Sequence, residues 1–184
     1  ADSATDTLTL VAGSGMTITT NAGTDTITLT AAGVAIAYIE VLDTKTNGTN
    51  GGTFTSGAWR TRDITTEYSD TGGHCSVASN QITLAAGTYE FDIKCPALQV
   101  GGHQAKLYDV TNAADIKLGT SEFSATGAAY AQPSSMITGK MVLAGSTVLE
   151  VHHQCGTTRD TYGFGSAANQ DAEIYTVERF WKVA

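Results

Sequence analysis

With 10 Lys and Arg against 18 Asp and Glu, the 184-residue chain carries a formal charge of -8 and shows no basic stripe, so it repels phosphates and argues against a nucleic-acid partner. No stretch approaches the ~18 apolar residues that a bilayer span requires, and Ala1 to Leu10 lacks the basic start and apolar run of a signal peptide. The length suits one β domain with a proper core plus something small beside it, and 20 Gly, abundant Thr and only two Pro favour an all-β chain of short strands joined by glycine turns.

The three cysteines, Cys75, Cys95 and Cys155, are odd in number and show no CxxC spacing. They read as reduced thiols in or near a core, with one bridge plus a free thiol as the alternative. The absence of Met at position 1 suggests a cut or processed chain.

Residues 1–33 contain a repeat: Thr5-Asp6-Thr7-Leu8-Thr9-Leu10 returns as Thr24-Asp25-Thr26-Ile27-Thr28-Leu29 after 19 residues, with the alternating Met16-Thr17-Ile18-Thr19-Thr20 between the copies. Each segment has a single apolar face, and one chain offers too few such residues for a core. Identical copies wound about an axis would bury these stripes, so residues 1–33 read as a β-repeat fibre shaft. The competing reading is a disordered Thr/Gly linker.

From Val34 the composition turns more apolar, and Val34-Ala35-Ile36-Ala37-Tyr38-Ile39-Glu40-Val41 is expected to enter a packed domain, residues 34–184. Asp43 to Gly57 is a loop by its Asn-Gly and Thr content, with Phe54 its only large apolar residue. Asn47-Gly48-Thr49 satisfies a glycosylation sequon, which matters only in a eukaryotic secretory setting that nothing else supports.

Ala58 to Ile64 resumes a strand, placing Arg60 and Arg62 on one side and Trp59, Thr61 and Asp63 on the other. The paired arginines suit a carboxylate or phosphate. The nearby Asp63, Glu67 and Asp70 favour ordinary surface ion pairing instead.

Gln81 to Cys95 reads as a hairpin. Ile82 and Leu84 alternate with polar neighbours, Ala85-Ala86-Gly87 makes the turn, and Tyr89, Phe91, Ile93 and Cys95 alternate with Glu90, Asp92 and Lys94. Gly101-Gly102-His103 precedes the strand Ala105 to Val110, and Asn112-Ala113-Ala114 reads as a turn. A second hairpin is expected over Ser135 to Cys155, turning at Ala144-Gly145-Ser146. The last strand, Glu173 to Val183, is apolar at both parities, with Ile174 and Phe180 on one face and Tyr175, Val177, Trp181 and Val183 on the other. That pattern puts it inside a sheet or against another subunit.

About eight to ten strands with glycine turns roughly every ten residues indicate a β-sandwich or jelly roll. Ile82 to Phe91 resembles the glycine-Tyr-x-Phe strand of C1q/TNF-like jelly rolls, where it belongs to the inner sheet. Val142 to Val148 looks like the later hairpin of that fold, and Phe180-Trp181-Lys182-Val183 resembles its closing aromatic strand. Arg179 and Ser146 stand where eukaryotic members usually carry Gly and Asp. Gly52 to Asp63, His103 to Thr111 and Leu118 to Glu122 are more similar to C1q-like domains at the ends of bacteriophage tail fibres, as is the repeat at Thr5 and Thr24. The resemblance covers nearly the whole chain and implies a homotrimer of C1q/TNF-like jelly-roll heads, with the shaft leading back to a virion.

Chemistry is sparse. There is no G-x-S-x-G elbow, no cysteine-nucleophile signature and no P-loop, and Gly163-Phe164-Gly165-Ser166-Ala167 reads as a loop closure. Asp160, Asp171 and Glu173 are the carboxylates to consider for a glycosidase pair. For a metal, His153 and Cys155 share a strand face at a spacing of two, with His152 adjacent and His74 and His103 elsewhere. Histidines packed near a trimer axis or hydrogen-bonded in a sheet are the favoured reading, because zinc or nickel wants three or four such ligands together.

The expectation is therefore a non-enzymatic virion protein with no catalytic residues, metal or cofactor. It would be the distal part of a trimeric phage tail fibre, assembled in the host bacterial cytoplasm, joined to upstream tail components and binding a host-surface receptor, glycan or protein. The loops Asp43 to Gly57, Glu67 to His74 and Asp160 to Asp171 are the candidate contacts. The alternatives are a trimeric polysaccharide depolymerase and a cellular C1q-like adhesion or signalling ligand.

Overall fold

The computed structural model describes residues 9–31, 33, 35–127 and 131–184. Its contacts divide the chain into two compact units, Ala1–Ala35 and Ile36–Ala184. Thr5 to Leu8 of the first repeat copy, and Val34, lie outside the described residues.

In the first unit, β1 (Met16–Asn21) and β2 (Thr26–Ala31) form an antiparallel ribbon. Its register pairs Met16 with Ala31, Ile18 with Leu29 and Thr20 with Ile27. Because cross-strand partners point to the same side, one face gathers the apolar residues and the other is Thr and Asn. The apolar face is uncovered: Met16 is 42%, Ile27 49% and Leu29 54% exposed.

The second unit is a sandwich of two antiparallel sheets. One has the strand order β12 (Ser134–Leu143), β8 (Gly87–Pro96), β14 (Glu173–Lys182), β3 (Ala37–Lys45), β5 (Thr66–Asp70). The other runs β10 (Ala114–Leu118), β9 (Gly101–Asp109), β13 (Thr147–Cys155), β7 (Gln81–Leu84), β6 (Cys75–Ala78), with β11 (Glu122–Ser124) on β9 and β4 (Arg60–Thr61) on β13. Between the sheets lies one apolar core that includes Ile39, Val41, Ile82, Leu84, Tyr89, Phe91, Ile93, Leu107, Leu149, Val151 and Phe180. Each large side chain withdrawn from water there contributes about 1.5–3 kcal/mol.

The expected hairpin at Gln81 to Cys95 is not one. β7 pairs with β6 and β13, whereas β8 pairs with β12 and β14 in the opposite sheet. Ala85-Ala86 is thus a crossing between sheets, braced by the Tyr89 hydroxyl donating to the Ala85 carbonyl at 2.9 Å. Tyr89, Phe91 and Ile93 are core residues and Glu90 and Lys94 are exposed, as the alternation requires.

The second expected hairpin fails in the same way, since β12 and β13 lie in different sheets. The true tight hairpin is β6–β7, turned by Ser79 and Asn80 at φ of 54° and 62°, the paired left-handed conformation of a two-residue type I′ connection. Gly101 and Gly102 already belong to β9, so the strand starts before the expected Ala105.

β14 is interior to its sheet, between β8 and β3, but its parity is interrupted. A register shift between Ile174 and Val177 lets both Tyr175 and Phe180 be buried, while Ile174 is 54% exposed instead of sharing Phe180's face. On β12, Gly139 lies opposite Phe91, and a Cβ there would meet the ring at 2.7 Å, so the phenyl needs the glycine.

Candidate functional site

Two of the three predicted loops join into one surface. Phe54 and Arg159 exchange backbone hydrogen bonds at 2.9 and 3.0 Å, the Gly52 N–H donates to the Thr161 carbonyl at 3.0 Å, and the Gly51 N–H donates to that of Gly165 at 2.8 Å. This zips Asp43 to Gly57 against Asp160 to Asp171. Glu67 to His74 instead follows β3, with the Thr71 N–H donating to the Tyr38 carbonyl, and Asp70 accepts from the N–H groups of Gly72 and Cys75 to close its turn.

The joined loops are anchored from beneath. Phe54, far from being a lone loop residue, is fully buried in a small cluster with Ala97, Val100, Cys155 and Phe164, and its ring stacks on Phe164 at 4.3 Å. Gly165, at φ 143°, lies against the Tyr175 ring where a Cβ would clash. Glu173 accepts from the N–H groups of Gly48, Ala168 and Asn169. Those three bonds hold its carboxyl below the usual range. That carboxylate is committed to loop backbone, while Asp160 and Asp171 are exposed.

The arginines separate, contrary to the surface-pairing expectation. Arg60 is exposed and donates to the Thr55 and Ser56 carbonyls. Arg62 is fully buried: its Nε donates to Thr176 at 2.8 Å, its terminal nitrogens to the carbonyls of Pro96 and Phe164, and its guanidinium lies 4.3 Å from the Phe164 ring centre. Sequence reasoning missed this because a buried arginine is rare and its acceptors come from three distant segments. Also buried is Glu178, whose carboxyl has no hydrogen-bond partner and is pushed up to about 8 by desolvation despite Arg62.

The histidines are individually committed. His103 Nδ1 and His153 Nε2 are 3.0 Å apart, a buried imidazole pair in which one ring donates to the other. Burial pushes His103 down to about 4 and His153 well below its ordinary value, so both are neutral at pH 7. His152 bonds Glu150 at 2.7 Å and stacks on Tyr108. Among the described residues no three His, Cys, Asp or Glu side chains converge as a metal site. All three cysteines are free, and burial raises Cys75 and Cys95 to about 12 and Cys155 to about 11, which leaves them weak nucleophiles.

Beside the imidazole pair a cleft of about 400 Å³ opens, lined by Trp59, His103, Gln104, Ser121, Glu122 and Gln154, with Gly102 and Gly156 keeping it free of side chains. The register that builds it sets Gln154 opposite Gln104, Cys155 opposite His103 and Glu122 opposite His103 on its other edge. None of the predicted loops includes it. Trp59 and the Gly101-Gly102 pair are far apart in sequence, and only the pairing of β4 with β13 together with that of β13 with β9 brings them to one place.

No protein-family model matches the sequence, and no curated protein does. Solved structures do resemble the fold. The globular domain of zebrafish complement 1qA protein matches with TM-score 0.52 at 11% identity, over 82% of this chain and 98% of that one. Murine APRIL matches with TM-score 0.53 at 10% identity, over 80% and 99%. A weaker likeness, TM-score 0.44 at 14% identity over 96% and 86%, is to PRD1 vertex protein P5. The fold is a jelly-roll β-sandwich of the C1q/TNF type.

Proposed function

We propose that the chain is the distal part of a trimeric bacteriophage tail fibre, a non-enzymatic virion protein that binds a receptor on the host cell surface. Residues 1–33 act as shaft and residues 34–184 as head, and assembly with upstream tail components takes place in the host bacterial cytoplasm. The observation that carries this reading is the β1–β2 ribbon, whose apolar residues Met16, Ile27 and Leu29 are exposed and whose second strand repeats the sequence pattern of Thr5 to Leu10 after 19 residues. Two further copies around a threefold axis would bury those residues. The jelly-roll head, similar to C1q and APRIL domains, supports the same assembly. Three copies of one weak site supply the avidity that surface attachment demands.

Sedimentation tests the assembly: a mass near three times the 19.1 kDa chain is expected, and a monomer at micromolar concentration overturns it. A binding screen against bacterial cells tests the receptor role. Attachment to at least one strain is expected, while reducing-sugar release from its polysaccharide would favour a depolymerase instead.

A further inference from the structure

We propose that the cleft at Trp59, Gln104 and Gln154 is a subsite for one pyranose ring of a neutral saccharide. This deepens the receptor-binding reading and takes its biological context from it. A pyranose presents an apolar C–H face and a rim of hydroxyls, each both donor and acceptor. Its binding site therefore combines an aromatic plate with fixed planar polar groups.

The cleft has both. Trp59 is half-buried, with Lys106, which does not line the cleft, placing its ammonium 4.5 Å from the ring centre. Gln104 and Gln154 face each other across the β9–β13 ladder, offering amide donors and acceptors together. These groups are set before any ligand arrives. The Gln104 amide donates to the Gly119 carbonyl at 2.8 Å, and Glu122 accepts from the Thr120 hydroxyl at 2.8 Å. Such preorganisation lowers the ordering cost of binding.

Charge selects among sugars. Glu122 is the only acid in the lining, and no Lys or Arg lines it. Lys106 is tied to Asp115, and His103 is neutral. A uronic or sialic acid, or a phosphorylated sugar, would meet a carboxylate with no compensating cation. A wholly apolar ligand would strand the amides and the carboxylate.

The full chain would be titrated with galactose, glucose, N-acetylglucosamine and lactose, and with glucuronic and sialic acid, by saturation-transfer NMR. At least one neutral sugar is expected to bind with a Kd on the order of 1 mM, and Trp59→Ala and Gln154→Ala are expected to weaken it by about tenfold or more. Gly102→Val guards against misfolding, because a Cβ there meets nothing within 4 Å. It should melt like the parent and still lose the sugar. The assignment is overturned if no neutral sugar binds, if acidic sugars bind better, or if folded Gly102→Val binds undiminished. Bacterial cells bound equally by parent and Gly102→Val would overturn the cleft and leave the receptor reading standing. A neutral sugar held in the cleft of a protein that binds no bacterium would sink the receptor reading and keep the cleft.

Discussion

The β1–β2 ribbon and the sandwich are written in the same alternating pattern and end in opposite states. Ile18 and Leu29 pair across the ribbon with their face in water, while Phe91 and Phe180, paired across β8 and β14, are 3% and 0% exposed because a second sheet lies over them. Period-two alternation specifies that a strand has an apolar face. It does not say where the cover comes from: within the chain for one region, and from other copies in our reading for the other.

The largest expected effect lies on the covered side. Phe180→Ala should cost the sandwich about 3–5 kcal/mol, measured by denaturant unfolding at pH 7. A cost below about 1 kcal/mol would mean that the two-sheet core is misassigned.

The second effect distinguishes buried charge from surface charge. Desolvation raises Glu178 from its ordinary 4.5 to about 8 in the folded state. Its neutral form is therefore the one the fold accepts, and its contribution to stability is fully present below about pH 4.5. That contribution declines by roughly 1.4 kcal/mol for each pH unit up to about pH 8. Glu178→Gln should flatten this slope in unfolding measurements between pH 5 and 8. A variant with the parent's slope would show that another group titrates.

The smallest effect on the sandwich comes from the ribbon. Leu29→Thr, or removal of residues 1–35, should leave the cooperative melt of Ile36–Ala184 within about 0.5 kcal/mol while weakening self-association in sedimentation. A large loss of melting cooperativity in the truncated chain would show that the two units are one.

The candidate site was partly legible. Asp160 to Asp171 and most of Asp43 to Gly57 are loops as read from their composition, although Asp43 to Lys45 still belong to β3 and Asp43 is buried. The joining of the two loops depends on Phe54 and Arg159 meeting across more than a hundred residues. Arg62 reads like Arg60 in sequence, and only the acceptors at Pro96, Phe164 and Thr176 distinguish a structural arginine from a surface one. The cleft was illegible for the same reason, since its polar groups sit at unremarkable positions on three strands and its opening comes from glycines.

By itself the sequence determined the all-β class, the alternation that makes Tyr89, Phe91 and Ile93 core residues, and the change of character near Gly33, because these follow from local periodicity and composition. The tertiary structure alone decided that Ala85-Ala86 crosses between sheets while Ser79-Asn80 turns the real hairpin. A run of short strands joined by tight connections is compatible with either route. What selects between them is the burial of both inner faces at once, a sum over contacts distant in the chain that no single stretch encodes.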